Sequence, residues 1–339
     1  MSRKVSILFV DDEPNILRAV RRHVRRYRDE WDLHFAHGGV DAVRVITCEN
    51  VDIVVTDMKM PEVDGCRLLE WISEHHPRII RFVLSGEAKP DEISRIVGRS
   101  HRFLAKPCTP EAIVSGIRDV VDTQLLDQLE NGVFETSMLD SLGTPKCIIE
   151  ELRDLLELEE PSLDRVADVV RRDPSLSLRM LQLCNSAYFK RPVSTCSVRR
   201  AVTHVGADRL RDLLEAGRLG QQSRSGTSDA RAASDAHRLA KASQERCVAL
   251  TDSPEAHSAA YVIGLALRCN AIDASGTLAQ SALRAAYMCV LLGLPDVLRQ
   301  SLLELAATGA RTSPENWPDL IAQAVTDKGV DATGCEAAA

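Results

Sequence analysis

Aromatic residues make up only 4% of the 339-residue chain, and there is no surplus of positive charge, 42 Lys+Arg standing against 49 Asp+Glu for a formal charge of -7. The acidic balance excludes a chain-wide pull toward nucleic acid or anionic lipid. The ten cysteines, scattered from Cys48 to Cys335, include no CxxC pair, so they form neither a zinc cage nor a redox motif. No uncharged apolar stretch approaches the roughly 20 residues of a membrane span. The opening MSRKVSILFVDDEP runs into Asp11, Asp12 and Glu13 where a signal peptide would stay apolar. These absences predict a cytoplasmic protein with free thiols and no membrane contact. What is present is ordinary for a globular chain, 45% hydrophobic and 27% charged, with length for about two domains.

Through residue 121, short apolar runs alternate with amphipathic stretches. The runs are Val5 to Val10, Leu33 to Ala36, Val51 to Thr56, Ile80 to Leu84 and Arg102 to Ala105. This alternation predicts an α/β unit, a doubly wound five-stranded parallel sheet with helices on both faces. In such sheets, groups at the carboxyl ends of the strands face the ligand crevice. Those positions hold Asp11 and Asp12, Asp57, Ser85 and Lys106. Crowded carboxylates repel one another unless a hard cation sits among them. Mg²⁺ takes one or two carboxylates and keeps room for a phosphoryl group, so the pattern points to phosphoryl chemistry. Leu17, Val20, Val24 and Tyr27 recur at helical spacing, and the six arginines from Arg18 to Arg28 read as the solvated face of that helix.

The motifs FVDDEP, VTDMKMPEVDG, VLSG and FLAKP, in this order, resemble the receiver domain of bacterial two-component response regulators, which has a flavodoxin-like fold. The resemblance implies that Asp57 is the phosphoacceptor. It implies Mg²⁺ bound directly by Asp12 and Asp57, through water by Asp11, and by the backbone carbonyl of Lys59. Lys106 would pair with the phosphoryl oxygens and Ser85 would hydrogen-bond to one of them. Phe103 takes the place of the aromatic switch residue, and Lys59 and Glu87 the places that tune the lifetime of the phosphoryl group. Lys106-Pro107 is a candidate cis peptide, while Gly65 reads as a turn glycine that needs no function. The implied donor is a sensor histidine kinase or a phosphotransfer protein.

From Val120 onward the strand signals stop. Ile148, Leu152, Leu155 and Leu156, then Leu163, Val166, Ala167 and Val170, repeat at helical spacing, and Asp173-Pro174 gives an N-cap and first-turn proline for the next helix. RDPSLSLRMLQLCNSAYF, with LGTPKCIIEELRDLLE before it and VSTCSVRRAVTHVGADRLRDLL after it, resembles the HDOD domain, an all-α output module related to HD-type phosphohydrolases. The expected organisation is a receiver over 1–121, a helical linker over 122–137, an HDOD-like domain over 138–326 and a flexible tail over 327–339. Asn185-Ser186 reads as a structural turn, and 221–235, rich in Ser, Ala and Gly, as a mobile loop.

Catalytic HD relatives would carry a His-Asp pair near 267 and 268, where this chain has Leu267 and Arg268, and Leu302, Leu303 and Glu304 stand where further ligands would be needed. His204, His237 and His257 are expected on helix surfaces or caps. The resulting expectation is a response regulator in a phosphorelay. Its Mg-dependent phosphorylation at Asp57 would control a non-catalytic HDOD module, without a cofactor of its own, that binds an unidentified protein partner. No nucleic acid is expected, and homodimer formation is left open. The competing reading is a cyclic-dinucleotide phosphodiesterase or sensor of the HD-GYP type.

Overall fold

A computed structural model describes residues 3–85, 99–106, 108–122, 144–185, 195–215, 219, 227–269, 278–307 and 317–327. Those through 122 belong to one compact unit and those from 144 to a second.

The first unit runs β1 (Val5–Val10), α1 (Pro14–Val24), β2 (Trp31–Ala36), α2 (Gly39–Cys48), β3 (Ile53–Asp57), α3 (Gly65–His75), β4 (Ile80–Ser85), β5 (Arg102–Ala105) and α4 (Pro110–Val121). Its strands lie in the order β2-β1-β3-β4-β5 with every pairing parallel. Strand order reverses between β1 and β3, so their carboxyl ends open the crevice at the switch point. Helices cover both faces, which is why β1 and β3 are almost wholly buried and read as continuous apolar runs.

Two strand starts differ from the sequence reading. β2 begins at Trp31, which is 2% exposed and stacks on Tyr27 at 4.7 Å between ring centroids, so the apolar start lay two residues earlier than Leu33. β3 begins at Ile53 and includes Asp57 as its last residue. The arginines of α1 do line its outer side, with Leu17, Val20 and Val24 inward. One of them also packs: the Arg21 guanidinium lies 4.4 Å over the Phe35 ring, a cation–π contact.

Ten helices make up the described part of the second unit: α5 (Lys146–Leu156), α6 (Leu163–Arg171), α7 (Pro174–Asn185), α8 (Val198–Val205), α9 (Ala207–Glu215), α10 (Thr227–Val248), α11 (Pro254–Cys269), α12 (Leu278–Leu291), α13 (Asp296–Ala307) and α14 (Trp317–Asp327). The centre is α7, buried at every position from Pro174 to Cys184 and packed against α6, α8, α10 and α11. Asp173 caps it as expected, its Oδ1 accepting the Leu176 N–H at 2.8 Å. Asn185 closes it: its amide donates to the carbonyls of Leu181 and Thr195, and its oxygen accepts the Thr195 N–H. That is the structural role expected of the turn, although Ser186 lies outside the described residues.

α10 and α11 approach closely because Gly264 has no side chain; a Cβ there would sit 2.7 Å from the Ala240 Cα. The expected mobile loop over 221–235 is corrected in part. α10 already begins at Thr227, so 227–235 are helical. Ala230, Ala232 and Ala233 are the strong helix formers of that stretch. Residues 221–226 lie outside the described residues, as do 123–137 of the expected linker, Glu87, Pro107 and the tail from 328.

Candidate functional site

The sheet brings the predicted charged residues to one edge. Asp11 directly follows β1 and is 2% exposed; its Oδ1 accepts the Glu13 N–H at 2.9 Å, which fixes the carboxylate plane. Asp57 ends β3 and is 8% exposed, its own carbonyl accepting the Thr56 hydroxyl at 2.9 Å. Lys106 follows β5, and its Nζ lies 2.8 Å from Asp57 Oδ1 and 3.1 Å from Asp11 Oδ2. One ammonium therefore bridges two buried carboxylates. Carboxylate oxygens of Asp11, Asp12 and Asp57 all lie within 4.8 Å of one another, with Asp12 the most exposed of the three.

Burial pulls the Lys106 pKa down, but hydrogen bonds and charge from Asp57 and then Asp11 outweigh it, holding the ammonium above its ordinary value. It is cationic at neutral pH. Three carboxyl groups thus share one ammonium in a cluster of hard oxygen donors. That donor set suits a divalent cation of the Mg²⁺ type.

The loop between β3 and α3 shapes the same edge. Met58 and Met60 are buried at 5% and 7% exposure while the side chain of Lys59 points outward. Glu62 has φ +62°, a left-handed conformation that costs a non-glycine residue about 1 kcal/mol or more. Asp64 then caps α3 by accepting the Arg67 N–H at 2.8 Å.

Gly65 has a larger role than the sequence assigned to it. A Cβ there would lie 2.2 Å from the Asp57 carbonyl oxygen and 2.9 Å from the Met58 Cα. Only glycine lets α3 begin directly against the end of β3, with the Gly65 N–H donated to the Met58 carbonyl at 3.0 Å. The available signal was its place eight residues after Asp57 at the close of VTDMKMPEVDG.

Phe103 is 8% exposed, on β5 in register with Val83. Ser85 ends β4 opposite Ala105, and its side chain lies outside the described residues. A cavity of about 780 Å³ around Asp52, His75 and Arg78 is at the amino ends of the strands and shares no residue with the acidic edge.

In the second unit, His204, His237 and His257 are all half-buried. His237 Nδ1 lies 2.8 Å from the Tyr261 hydroxyl and 3.1 Å from the Arg171 carbonyl. Burial holds its pKa below the ordinary histidine value. The Tyr261 hydroxyl donates to that same carbonyl, and burial pushes the phenol up to about 12. His237 is thus a half-buried residue of α10 that hydrogen-bonds to Tyr261 and the Arg171 carbonyl. His257 does sit at a cap, its Nε2 donating to the Thr251 carbonyl at 2.7 Å at the start of α11. His204 is partly buried, and burial lowers its pKa.

Leu267 lies six residues past Tyr261, roughly 9 Å along α11 at 1.5 Å per residue, so the partner of His237 is not position 267. Leu267 and Leu302 are fully buried; the Arg268 side chain lies outside the described residues. Among the described residues, the acidic edge of the first unit is the one group of three or more potential metal ligands.

Residues 7–118 match the response regulator receiver domain and residues 142–269 match the HDOD domain. Helices α12 to α14 lie beyond that second match. Among curated relatives, the transcriptional regulatory protein GlrR of Escherichia coli is 29% identical over 124 residues, covering 36% of this chain and 28% of that protein. TrcR of Mycobacterium tuberculosis, also a transcriptional regulatory protein, is 25% identical over 120 residues, covering 34% and 45%. The chain thus spans less than half the length of these relatives.

Similar solved structures include the signal receiver domain of an HD domain-containing protein from Pseudomonas fluorescens Pf-5, with 26% identity, TM-score 0.34, and coverage of 36% of this chain and 98% of that one. A response regulator receiver domain protein from Clostridium thermocellum has 27% identity, TM-score 0.33 and the same coverage. Receiver domains generally use Mg²⁺, and the oxygen donors of Asp11, Asp12 and Asp57 fit that ion. With its parallel-sheet unit matched over 7–118 and its helical unit over 142–269, the chain carries a response regulator receiver domain followed in sequence by an HDOD domain.

Proposed function

We propose that Asp57 accepts a phosphoryl group from a sensor histidine kinase or phosphotransfer protein, and that its phosphorylation controls how the HDOD unit engages a protein partner. The observation that carries this reading is the Lys106 ammonium held between Asp57 and Asp11 at the switch point of the sheet.

An Asp57 carboxylate oxygen attacks phosphorus, the P–N bond to the donor imidazole breaks, and its electron pair stays on the ring nitrogen. The product is an acyl phosphate on Asp57. Lys106, already beside Asp57 Oδ1, is placed to pair with the arriving phosphoryl oxygens. Asp11, Asp12, Asp57 and the Lys59 carbonyl would hold Mg²⁺, which when bound neutralises charge on the transferring group. The Ser85 hydroxyl would bond to the phosphoryl group, and the buried Phe103 ring would repack as Ser85 moves, giving the receiver two packings whose balance phosphorylation shifts.

The HDOD unit is proposed to bind and not to catalyse. Leu267 and Leu302 are buried apolar residues where relatives would need ligands, and His237 is held by Tyr261 and a carbonyl. These facts favour the partner-binding reading over a cyclic-dinucleotide phosphodiesterase. No described helix is long and apolar enough to cross a membrane, which is compatible with the proposed cytoplasmic location.

The test has two arms. Incubation with acetyl phosphate and Mg²⁺ should add one phosphoryl group to the wild type and none to Asp57→Asn, and a partner captured on the full chain should bind the two phosphorylation states with different affinity. Labelling retained in Asp57→Asn, or equal partner affinity in both states, would overturn the respective half. Chelator-sensitive hydrolysis of a cyclic dinucleotide would contradict the non-catalytic reading.

A further inference from the structure

The second unit contains a cavity of about 240 Å³ that the reading above does not use. Its walls come from Arg171 at the end of α6, Cys196 to Arg199 at the start of α8, Gln244 on α10, and Pro254, His257, Ser258 and Tyr261 on and before α11. At about 30 Å³ per water molecule, the space equals roughly eight waters. It admits a small group with a few attached carbons.

The charge in this cavity is unbalanced at one residue. Arg199 is already paired with Asp164 and Asp168, Arg200 with Glu255, and Arg172 with Glu151. Arg171 has no carboxylate at salt-bridge distance among the described residues. Its guanidinium lies 4.4 Å over the Tyr261 ring, and Nη2 donates to the neutral Gln244 Oε1 at 2.8 Å. A guanidinium carries five N–H donors in a planar fork, more than these neutral partners engage.

The support beneath Arg171 is rigid. Tyr261 is 2% exposed, and its hydroxyl, with His237, is tied to the Arg171 main-chain carbonyl. The ring and the backbone that carry the guanidinium are therefore fixed together. Ser197, at the N-cap of α8, accepts the Arg200 N–H on its side chain, and Val198 and Arg199 of the first turn, whose N–H groups have no partner within their own helix, line the same cavity. Arg171 and the first turn of α8 thus border one confined space, and none of its described lining residues is a carboxylate.

We propose that this cavity binds a phosphoryl group, as free phosphate or on a small phosphomonoester, with Arg171 as the principal contact. Three terminal oxygens match the guanidinium fork and the additional N–H donors better than the two oxygens of a carboxylate do. The inference does not depend on Asp57, whose chemistry lies in the other unit.

Titration calorimetry tests it on the full chain carrying Asp57→Asn, in Mg²⁺-free buffer at constant ionic strength, with inorganic phosphate, glycerol 3-phosphate and acetate as probes. Saturable binding of one or both phosphates is expected, with acetate at least tenfold weaker. Glycerol 3-phosphate binding tighter than phosphate identifies a phosphomonoester site, and the reverse order a free-phosphate site.

Arg171→Gln should lose at least tenfold in affinity, while Arg165→Gln, an exposed arginine on the same helix, should lose nothing. Gln244→Glu is the sharper variant. It places a carboxylate at the existing 2.8 Å contact, supplies the missing counter-ion without changing side-chain size, and should abolish phosphate binding in a protein that still melts cooperatively. Absence of saturable binding by both phosphates, acetate binding as tight as phosphate, or unchanged affinity in Gln244→Glu would overturn the proposal.

Discussion

Asp173 offers a quantitative test of how the helical unit is built. Its carboxylate is 1% exposed; Oδ1 accepts the Leu176 N–H and the Thr144 hydroxyl at 3.0 Å, while Oδ2 has no hydrogen-bond partner among the described residues. Burial raises its pKa from 3.8 to about 6 against the opposing pull of those bonds. Between these two values the folded protein holds a proton that the unfolded chain has released. Stability from this site must therefore fall as pH rises from about 4 to about 6.

Two pKa units at 1.36 kcal/mol each make the loss roughly 3 kcal/mol. Asp173→Asn keeps a neutral acceptor for Leu176 and Thr144 and removes the charge, but it buries an amide N–H₂ without an acceptor, at about 1–3 kcal/mol. The variant should then be close to the wild type or more stable at pH 7 and less stable near pH 4. Urea unfolding of both full-length proteins, followed by circular dichroism across that range, reads the difference directly. Parallel pH dependences in the two proteins would refute the buried, half-satisfied carboxylate as the cause.

The receiver edge yields three further expectations. Lys106→Ala removes the ammonium between Asp57 and Asp11, so labelling of Asp57 by acetyl phosphate should slow by tenfold or more, about 1.4 kcal/mol of barrier, in a rapid-quench assay. Gly65→Val forces atoms against the Asp57 carbonyl and should cost about 1–3 kcal/mol by denaturant titration while also reducing labelling. Phe103→Ala should destabilise the receiver by about 3–5 kcal/mol, leave Asp57 reactive, and narrow the difference in partner affinity between phosphorylated and unphosphorylated protein.

Much of the receiver was legible because its strands are buried on both faces and each ends in a chemically distinctive residue. Periodicity located all five strands, and Asp11, Asp57 and Lys106 do converge. The start of β2 was missed because Trp31 belongs to an aromatic stack with Tyr27 and not to a β-branched run. Gly65 was underread because a close backbone approach leaves no mark in composition; it exists only once α3 is laid against the end of β3.

In the helical unit, spacing located α5, α6 and α7 and the Asp173 cap. The extent of α10 and the hydrogen bonding of His237 depend on tertiary packing, of Gly264 on Ala240 and of Tyr261 on His237, that no local pattern encodes. The same holds for Arg171, which has no carboxylate partner among the described residues while Arg172, Arg199 and Arg200 each have one.

The central claim is that Asp57, and neither of its acidic neighbours, carries the phosphoryl group. Borohydride reduction of the acetyl phosphate-treated protein converts an aspartyl phosphate to homoserine, and tandem mass spectrometry of the digest locates it. Homoserine at position 57 alone, dependent on Mg²⁺, is the predicted result. Homoserine at Asp11 or Asp12, or none at position 57 in protein that has gained a phosphoryl group, would contradict it.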